Sequence, residues 1–324
     1  MIVNLFRHTQ AISHIIIFGL SILIWGVTSY KNPNPSNEWL SPFSENIFNW
    51  IHSNEILARI VTCLLVFYQC MLINRIAVKN KVLSITSSFP ALFYFVLISA
   101  SPKIIYFNAA LVGITFILHA LHTILSTYLV KDAHSQIFKS AFSLGIAAMI
   151  YPPFFVFIPL VWLGMSIFSQ VEWRLWAISF LGIFCPYFLY YTLAEFFSLD
   201  QLYLSYFLES LFVEKIVTNI NTGTLIFLVL GGLACLISTM ELLSSLRQKN
   251  IQARKSFVLI LWMLVIAFIH FYLNSEAYPL KVLVFAIPLS CIISNYYYYN
   301  KKTNWLNFLA LVLFGSLMVN HMLK

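Results

Sequence analysis

Apolar stretches of about 20 residues, the length that a helix needs to cross a bilayer, follow one another along almost the whole chain. Only short polar loops separate them. Because 60% of the 324 residues are hydrophobic and 9% are charged, a water-soluble protein of this size is excluded. The pattern predicts an all-α, polytopic helical membrane protein that forms one integral membrane domain over residues 1–324.

Nine stretches are long enough for full crossings. They are 11–29, 57–76, 84–101, 104–129, 175–197, 223–244, 257–273, 281–299 and 304–321. Between the fourth and the fifth lies AMIYPPFFVFIPLVWLGM, residues 148–165, which contains Pro152, Pro153 and Pro159. An unbroken helix does not tolerate an adjacent proline pair, so we expect two short helices, 138–150 and 153–169. They form either a hairpin that enters and leaves on one side or two short crossings.

The basic residues predict the orientation. If the N-terminus lies inside, 13 Lys and Arg residues fall on the cytoplasmic side and six outside. The positive-inside rule therefore favours an inner-membrane protein with its N-terminus inside and its C-terminus outside. The first apolar segment lacks a small-residue cleavage site, so we expect it to stay as a crossing.

Two loop segments on the outer side are unusually long, 30–56 and 198–221. The second half of the first places Phe43, Ile47, Phe48 and Ile51 at helical spacing. We expect this part to be a short amphipathic helix at the membrane surface. The basic net charge of +8 is explained by topology signals in the loops, and no nucleic-acid partner is predicted.

Few ionisable groups lie inside the apolar stretches. His119 and His122 share one helix face at a spacing of three residues, which suits either a metal ligand pair or hydrogen bonds to a neighbouring helix. No third ligand accompanies them, so we predict no metal and no cofactor. The Gly231-Gly232 pair predicts a close approach between helices. His270, near the outer end of its helix, is expected to extend to the interface.

Three cations fall at the outer boundary of the membrane: Arg59, Lys103 and Lys281. At that depth a cation meets phosphate groups. The three residues therefore either anchor the protein to ordinary lipid headgroups or form a phosphate site for a lipid-linked donor. Membrane lipids are the partners predicted in both cases.

The arrangement resembles the GT-C class of membrane glycosyltransferases, which take sugars from polyprenyl-phosphate carriers. In that class a first helix leads into a long outer loop with a catalytic acid, and a later helix is broken by a proline turn like AMIYPPFFVFIPL. A late run similar to EAYPLKVLVFAIPLS, residues 276–290, is also typical.

The whole length also resembles a family of uncharacterised bacterial integral membrane proteins. Three stretches carry this similarity: NWIHSNEILARIVTCLLVFYQCMLINRIAVKNK (49–81), FKSAFSLGIAAMIYPPFFVFIPLVWLGMSIF (138–168) and EWRLWAISFLGIFCPYFLY (172–190).

The GT-C resemblance implies a site on the outer side of the membrane. The first outer loop has no Asp, so Glu38 and Glu45 are the candidates for the catalytic base; solvated loop carboxylates are the alternative. Arg59, Lys103 and Lys281 would hold phosphate, and Tyr151 would line the cavity.

The implied function is glycosyltransferase-like handling of a lipid-linked substrate, such as a polyprenyl-phosphate carrier, in cell-envelope assembly. A non-catalytic subunit that binds a membrane protein partner is the second hypothesis, and a transporter is the third.

Overall fold

The computed structural model describes residues 6–7, 11–27, 42–80, 82, 87–100, 105–168, 172–196, 222–273, 278–300 and 303–322. Within these ranges the regular secondary structure is helical throughout, as the composition predicts. The helices are α1 (Ala11–Ser21, continued by π-helical turns over Ile22–Val27), α2 (Pro42–His52), α3 (Glu55–Lys79), α4 (Phe89–Ile98), α5 (Ala109–Leu125), α6 (His134–Ile150), α7 (Pro159–Phe168), α8 (Trp173–Phe196), α9 (Thr222–Ser245), α10 (Ile251–Leu273), α11 (Tyr278–Val282), α12 (Ala286–Tyr299) and α13 (Thr303–Met322).

Among the described residues, five helical segments are long and apolar enough to cross a membrane: Glu55–Lys79, Trp173–Phe196, Leu225–Gln248, Ile251–Leu273 and Leu280–Tyr299. The predicted crossings 84–101 and 104–129 contain the shorter helices α4 and α5. Pro90 lies in the first turn of α4, and the side chain of Asn108 caps α5 by accepting a hydrogen bond from the Leu111 N–H at 2.7 Å. Local start signals therefore shorten these helices relative to the apolar runs around them.

Side-chain contacts define two ends of the bundle. Ser13 and Ser88, at the starts of α1 and α4, are hydrogen-bonded at 2.8 Å, and the Trp25 indole donates to Ser99 at 2.8 Å where both helices finish. Helices α1 and α4 are therefore parallel. We call the end at Ser88 the basic end, and the end at Ser99 the α2 end.

Further contacts assign the remaining helices to these ends. Asn80, after α3, bonds His122 near the end of α5 at 3.2 Å, and the ring of Tyr297 in α12 packs on that of Phe93 in α4, with 4.5 Å between the ring centroids. At the α2 end, the amide of Asn320 in α13 donates to the Ala100 carbonyl at 2.6 Å.

Basic side chains are strongly segregated between the two ends. Among the described residues, the basic end carries Arg7, Arg75, Lys79, Lys131, Lys139, Arg174, Arg247, Lys249, Arg254 and Lys255, and the α2 end carries Arg59 and Lys281. This distribution has the asymmetry on which the positive-inside prediction rests.

The proline-rich segment reverses the direction of the chain. Helix α6 runs away from the basic end, a 3-10 turn over Pro152–Phe157 reverses the chain, and α7 returns. The ring of Phe168, the last residue of α7, lies 6.3 Å from the ring of Tyr128, just after α5. The chain therefore reverses at the proline break, which both arrangements left open by the sequence require.

Because α7 returns the chain, α6 and α8 pack side by side in the same direction. Two glycines allow their backbones to touch. A Cβ on Gly145 would lie 2.7 Å from the Ile183 carbonyl oxygen, and a Cβ on Gly182 would lie 2.7 Å from the Ala141 Cβ. Small residues at such contacts permit close packing in a bilayer, where the hydrophobic effect does not drive helices together.

A buried polar network connects α3, α4 and α5. The amide nitrogen of Gln69 donates to the Leu111 carbonyl at 2.7 Å and to the Thr115 hydroxyl at 2.8 Å, while the Tyr94 hydroxyl donates to the Gln69 amide oxygen at 2.9 Å. Both ends of the Gln69 amide are thus satisfied, as a buried polar group requires.

Candidate functional site

The predicted base residues of the first outer loop fall largely beyond the part of the chain that the structure describes. Glu38 lies outside the described residues, and so does the cation Lys103. Glu45 lies on α2, the predicted amphipathic helix, but its side chain is outside the description. The second long loop segment, 198–221, is also outside. The roles assigned to these residues remain predictions.

Helix α2 packs over the loop that precedes α5. Phe48 and Ile51 are buried in the core, as the predicted apolar face requires, whereas Ile47, which the spacing places on the same face, is exposed together with Trp50. The Phe48 ring lies 4.8 Å from the Phe107 ring. The outer loop is therefore anchored to the helical core through an aromatic contact.

His52, at the end of α2, was not singled out by the sequence. It lies beside Phe107, with 6.0 Å between the ring centroids, and a hydrogen bond joins it to the Phe107 backbone. Burial lowers the pKa of His52, and the backbone hydrogen bond opposes this shift more weakly. Its Nε2 atom is buried and makes no hydrogen bond to any described residue.

Arg59 has a partner of its own. Its guanidinium forms an ion pair with Glu55, one helical turn earlier on α3. Both side chains are partly open to solvent, so the pair contributes little stability. Arg59 can therefore exchange Glu55 for a phosphate at small cost.

Tyr151 lies in a buried turn. It is 2% exposed, and its ring meets the edge of the Phe154 ring at 4.6 Å. A Cβ on Gly113 of α5 would be 2.6 Å from Phe154, so the turn is tightly packed against that helix. Irregular backbone at membrane depth is tolerated where protein surrounds it, and this turn satisfies that condition.

His270 completes the surroundings of the turn. The sequence predicted that it would extend to the interface, and this prediction is wrong, because the side chain is 0% exposed. Its ring lies 5.5 Å from Phe154 and 5.7 Å from Phe157. The aromatic side chains of the proline turn enclose the imidazole, which an inspection of α10 alone does not reveal.

Lys281 lies next to this cluster. Its Nζ is 5.9 Å from the centroid of the Phe271 ring, and it is close enough to His270 to act on it electrostatically. Phe154 and His270 therefore link two of the predicted site residues, Tyr151 and Lys281, in one connected cluster. Arg59 lies at the same end of the bundle but on α3, with Glu55.

An apolar groove of about 500 Å³ begins beside Lys281. Four parts of the chain line it: the end of α4, α9 between Phe227 and Thr239, the second half of α10, and the segment from α11 into α12. The lining residues are Leu97, Ala100, Phe227, Leu228, Gly231, Gly232, Cys235, Leu236, Thr239, Leu264, Phe268, Phe271, Val282, Phe285, Ala286 and Leu289. Its volume lies within the range of about 300–1,000 Å³ that is usual for ligand pockets.

The glycine pair of α9 helps to form this groove. The sequence predicted that Gly231 and Gly232 would allow a close helix approach, and this prediction is wrong. Among the described residues, a Cβ on Gly232 would have no atom within 4 Å, and one on Gly231 would meet only the edge of Phe227 at 3.9 Å. The absence of side chains widens the groove, whereas the close helix contacts use Gly145 and Gly182.

A family model matches residues 43–324 of the chain and describes a family of unknown function, DUF6427. The chain belongs to this family. A search of curated protein sequences finds no match.

The DUF6427 chain is similar in structure to ArnT from Cupriavidus metallidurans, whose crystal structure was determined with bound undecaprenyl phosphate. The TM-score is 0.56 at 13% sequence identity. The match covers 92% of this chain and 62% of ArnT, so this chain spans less than two thirds of that protein. ArnT is a GT-C glycosyltransferase, and the predicted GT-C-like membrane fold is thus confirmed.

The histidine pair of this DUF6427 protein serves helix packing. His119 bonds the Tyr68 hydroxyl at 2.8 Å, and His122 bonds Asn80 at 3.2 Å, both across to α3 or the residue that follows it. Within the described residues, no group of three His, Cys, Asp or Glu side chains is placed to hold a metal ion. Of the two alternatives, the structure adopts the interhelical hydrogen bonds.

Proposed function

We propose that this protein binds a lipid-linked substrate of the polyprenyl-phosphate kind in the groove between α9, α10 and α12. Catalysis or presentation then takes place at the α2 end, on the outer face of the inner membrane, in cell-envelope assembly. The observation that carries the proposal is the position of Lys281 at the edge of an apolar groove of about 500 Å³. ArnT, which shares the fold, binds undecaprenyl phosphate.

The apolar lining of the groove by itself distinguishes poorly between one lipid and another. Lipid tails are as apolar as the groove, so moving a chain from the bilayer into it gains little from the hydrophobic effect. Preference for one lipid must then come from the shape of the groove and from contacts to the headgroup. Lys281 supplies a cation where a lipid phosphate would lie, and Arg59 lies at the same end of the bundle.

For an enzymatic reaction, Glu38 or Glu45 would act as the base that activates the acceptor hydroxyl. Arg59, Lys103 and Lys281 would hold the phosphate of the donor. Tyr151 is not part of the lining of the groove and would support the site through its buried cluster with Phe154 and His270. This assignment requires the outer loop to bring one of the two carboxylates towards Lys281.

A second candidate is a non-catalytic subunit that binds the same lipid or a membrane protein partner. The ion pair between Arg59 and Glu55 favours it, because this cation already has a carboxylate partner on its own helix. The two candidates differ in the effect of Glu38→Gln and Glu45→Gln. Loss of sugar transfer with intact lipid binding would identify an enzyme, whereas equal behaviour of wild type and both variants would favour the subunit.

The test of lipid binding compares undecaprenyl phosphate, undecaprenol and phosphatidylglycerol on protein purified in mild detergent, by native mass spectrometry. We expect Lys281→Met to weaken undecaprenyl phosphate binding roughly tenfold, as for loss of a charge-assisted contact, and Lys281→Arg to retain it. Undecaprenol binding should not change in either variant.

Lys139→Met is the matched control, because Lys139 is an exposed lysine at the basic end. Equal binding of phosphatidylglycerol and undecaprenyl phosphate by the wild type would show only general headgroup anchoring and would contradict the proposal.

A further inference from the structure

A second pocket lies at the basic end, at the opposite end of the bundle from Lys281, and has a different lining. Its volume is about 360 Å³. The loop from α5 to α6, the end of α7, the start of α8 and the start of α10 surround it. Tyr128, Phe168 and Leu175 form its apolar side, and the rest of the lining is largely charged.

The charges in this pocket have both signs. Lys131 and Lys255 contribute two cations, and Asp132 and Glu172 contribute two carboxylates; His134 is the fifth ionisable group. Among the described residues an ion pair is found only between Arg59 and Glu55. Lys131, Lys255, Asp132 and Glu172 therefore form no ion pairs with one another. Charges of both signs that share a pocket without pairing are available to a ligand that carries both signs.

The aromatic and apolar side chains beside this pocket favour a ligand from the membrane. Lys255 lies over the Tyr128 ring, with 5.9 Å from Nζ to the centroid, and the Phe168 ring stands edge-on to Tyr128 at 6.3 Å. Leu129, beside Tyr128, is 82% exposed. Aromatic and apolar side chains next to lysines at the ends of spanning helices are typical of the membrane–water boundary.

We infer that this pocket binds the phosphoethanolamine headgroup of a zwitterionic phospholipid. Lys131 and Lys255 would contact the phosphate, Asp132 and Glu172 would contact the ammonium group, and the acyl chains would leave along Phe168 and Leu175. The start of α6 adds to the phosphate side, because Ala133 at its cap position provides no side-chain hydrogen bond to the first-turn N–H groups.

The two carboxylates determine the selectivity. A phospholipid with a purely anionic headgroup would gain the contacts to the lysines but would meet Asp132 and Glu172 without a cation to offer them. Repulsion between like charges at a binding site weakens the binding of the wrong ligand. The pocket should therefore prefer phosphatidylethanolamine to phosphatidylglycerol.

The test is native mass spectrometry of the full chain with the two phospholipids, matched in acyl chains. We expect the wild type to prefer phosphatidylethanolamine at least about threefold, the scale of one exposed charge contact. The double variant Asp132→Asn with Glu172→Gln should lose that preference. Lys255→Met should weaken both lipids, and Lys139→Met, outside the pocket, should change neither.

The chemical source of the ligand is tested by adding free O-phosphoethanolamine. Displacement of phosphatidylethanolamine from the wild type but not from the double variant would support recognition of the headgroup. Binding of the free compound by a protein that shows no lipid preference would assign a soluble zwitterion and overturn the lipid proposal. An unchanged preference in the double variant would overturn the site itself. Asp132 and Glu172 are exposed, so we expect the double variant to fold. Thermal unfolding in detergent checks this for the double variant and for Lys255→Met.

Discussion

Lys249, in the short connection between α9 and α10, is half-buried although it lies outside the spanning segments. Its Nζ donates to the Asn295 amide oxygen at 2.7 Å and lies 4.1 Å from the Tyr299 ring centroid. Burial lowers its pKa to about 8, and the charge of Glu241 opposes this shift more weakly. The loss of hydration thus outweighs the favourable contacts of the ammonium group.

This shift predicts a pH dependence of stability. The folded-state pKa of about 8 lies below the ordinary value of 10.5, so the folded protein releases this proton at lower pH than the unfolded chain. The contribution of Lys249 to stability is therefore smallest below pH 8 and rises between about pH 8 and 10.5.

Thermal unfolding in detergent over that range should show the wild type gaining stability relative to Lys249→Met. The exposed Lys139→Met variant should stay parallel to the wild type. A wild type that lost stability relative to Lys249→Met across the same range would contradict the assignment.

Individual residues differed in how well the sequence predicted them. The spacing of His119 and His122 limited them to two roles, because two histidines without a third ligand are insufficient for zinc. The burial of His270 was not predictable, because the rings that enclose it, Phe154 and Phe157, are more than 100 positions away in the chain. The contact of His52 with Phe107 has the same long-range origin.

At the scale of elements, the parallel contact between α6 and α8 depends on two glycines. Gly145→Ala and Gly182→Ala should each lower the unfolding temperature strongly, because the new Cβ would lie 2.7 Å from atoms of the facing helix. We expect a loss of about 1–3 kcal/mol, as for overpacking elsewhere.

Gly19→Ala and Gly315→Ala are the matched controls, since a Cβ at either position would have no atom of the described residues within 4 Å. These two variants should be neutral or stabilise the protein by up to about 1 kcal/mol through helix propensity. Equal effects at all four positions would show that α6 and α8 are not in close contact.

The elements also show where local patterns suffice. The proline pair predicted a break because its effect on the backbone is local, and the structure has a 3-10 turn at that place. The local pattern could not show that α7 returns to the start of α6, because that depends on the packing of Phe168 against Tyr128, which lies 40 positions earlier in the chain. The Gly231-Gly232 pair has the same local pattern as a packing motif, and only the neighbouring helices reveal that it widens a groove.

At the scale of the whole molecule, hydropathy predicted the helical membrane fold, while similarity in structure to ArnT confirmed the GT-C-like arrangement. The groove next to Lys281 was not predicted, because residues from four separate parts of the chain form it.

The orientation is a prediction for the whole molecule. If the basic end faces the cytoplasm, a membrane-impermeant maleimide applied to intact spheroplasts should label Ser53→Cys, at the α2 end, but not Lys139→Cys. Both positions are exposed. Each new cysteine is introduced into a protein whose five native cysteines are replaced by Ala or Ser, so that only the new thiol is labelled. The reverse labelling pattern would place α2 inside and contradict the proposed outer-face site.

The central claim is that the groove holds the chain of a polyprenyl-phosphate lipid, and filling the groove tests it most directly. Gly232→Leu adds a side chain at a position where the described part of the chain places no atom within 4 Å of a new Cβ. Gly315→Leu makes the same change on α13, away from the groove. The measurement is the affinity of each variant for undecaprenyl phosphate, by native mass spectrometry. We predict that Gly232→Leu binds undecaprenyl phosphate at least about tenfold more weakly than the wild type. Gly315→Leu should bind like the wild type, and the two variants should be equally stable. Unchanged binding in a folded Gly232→Leu protein would contradict the account.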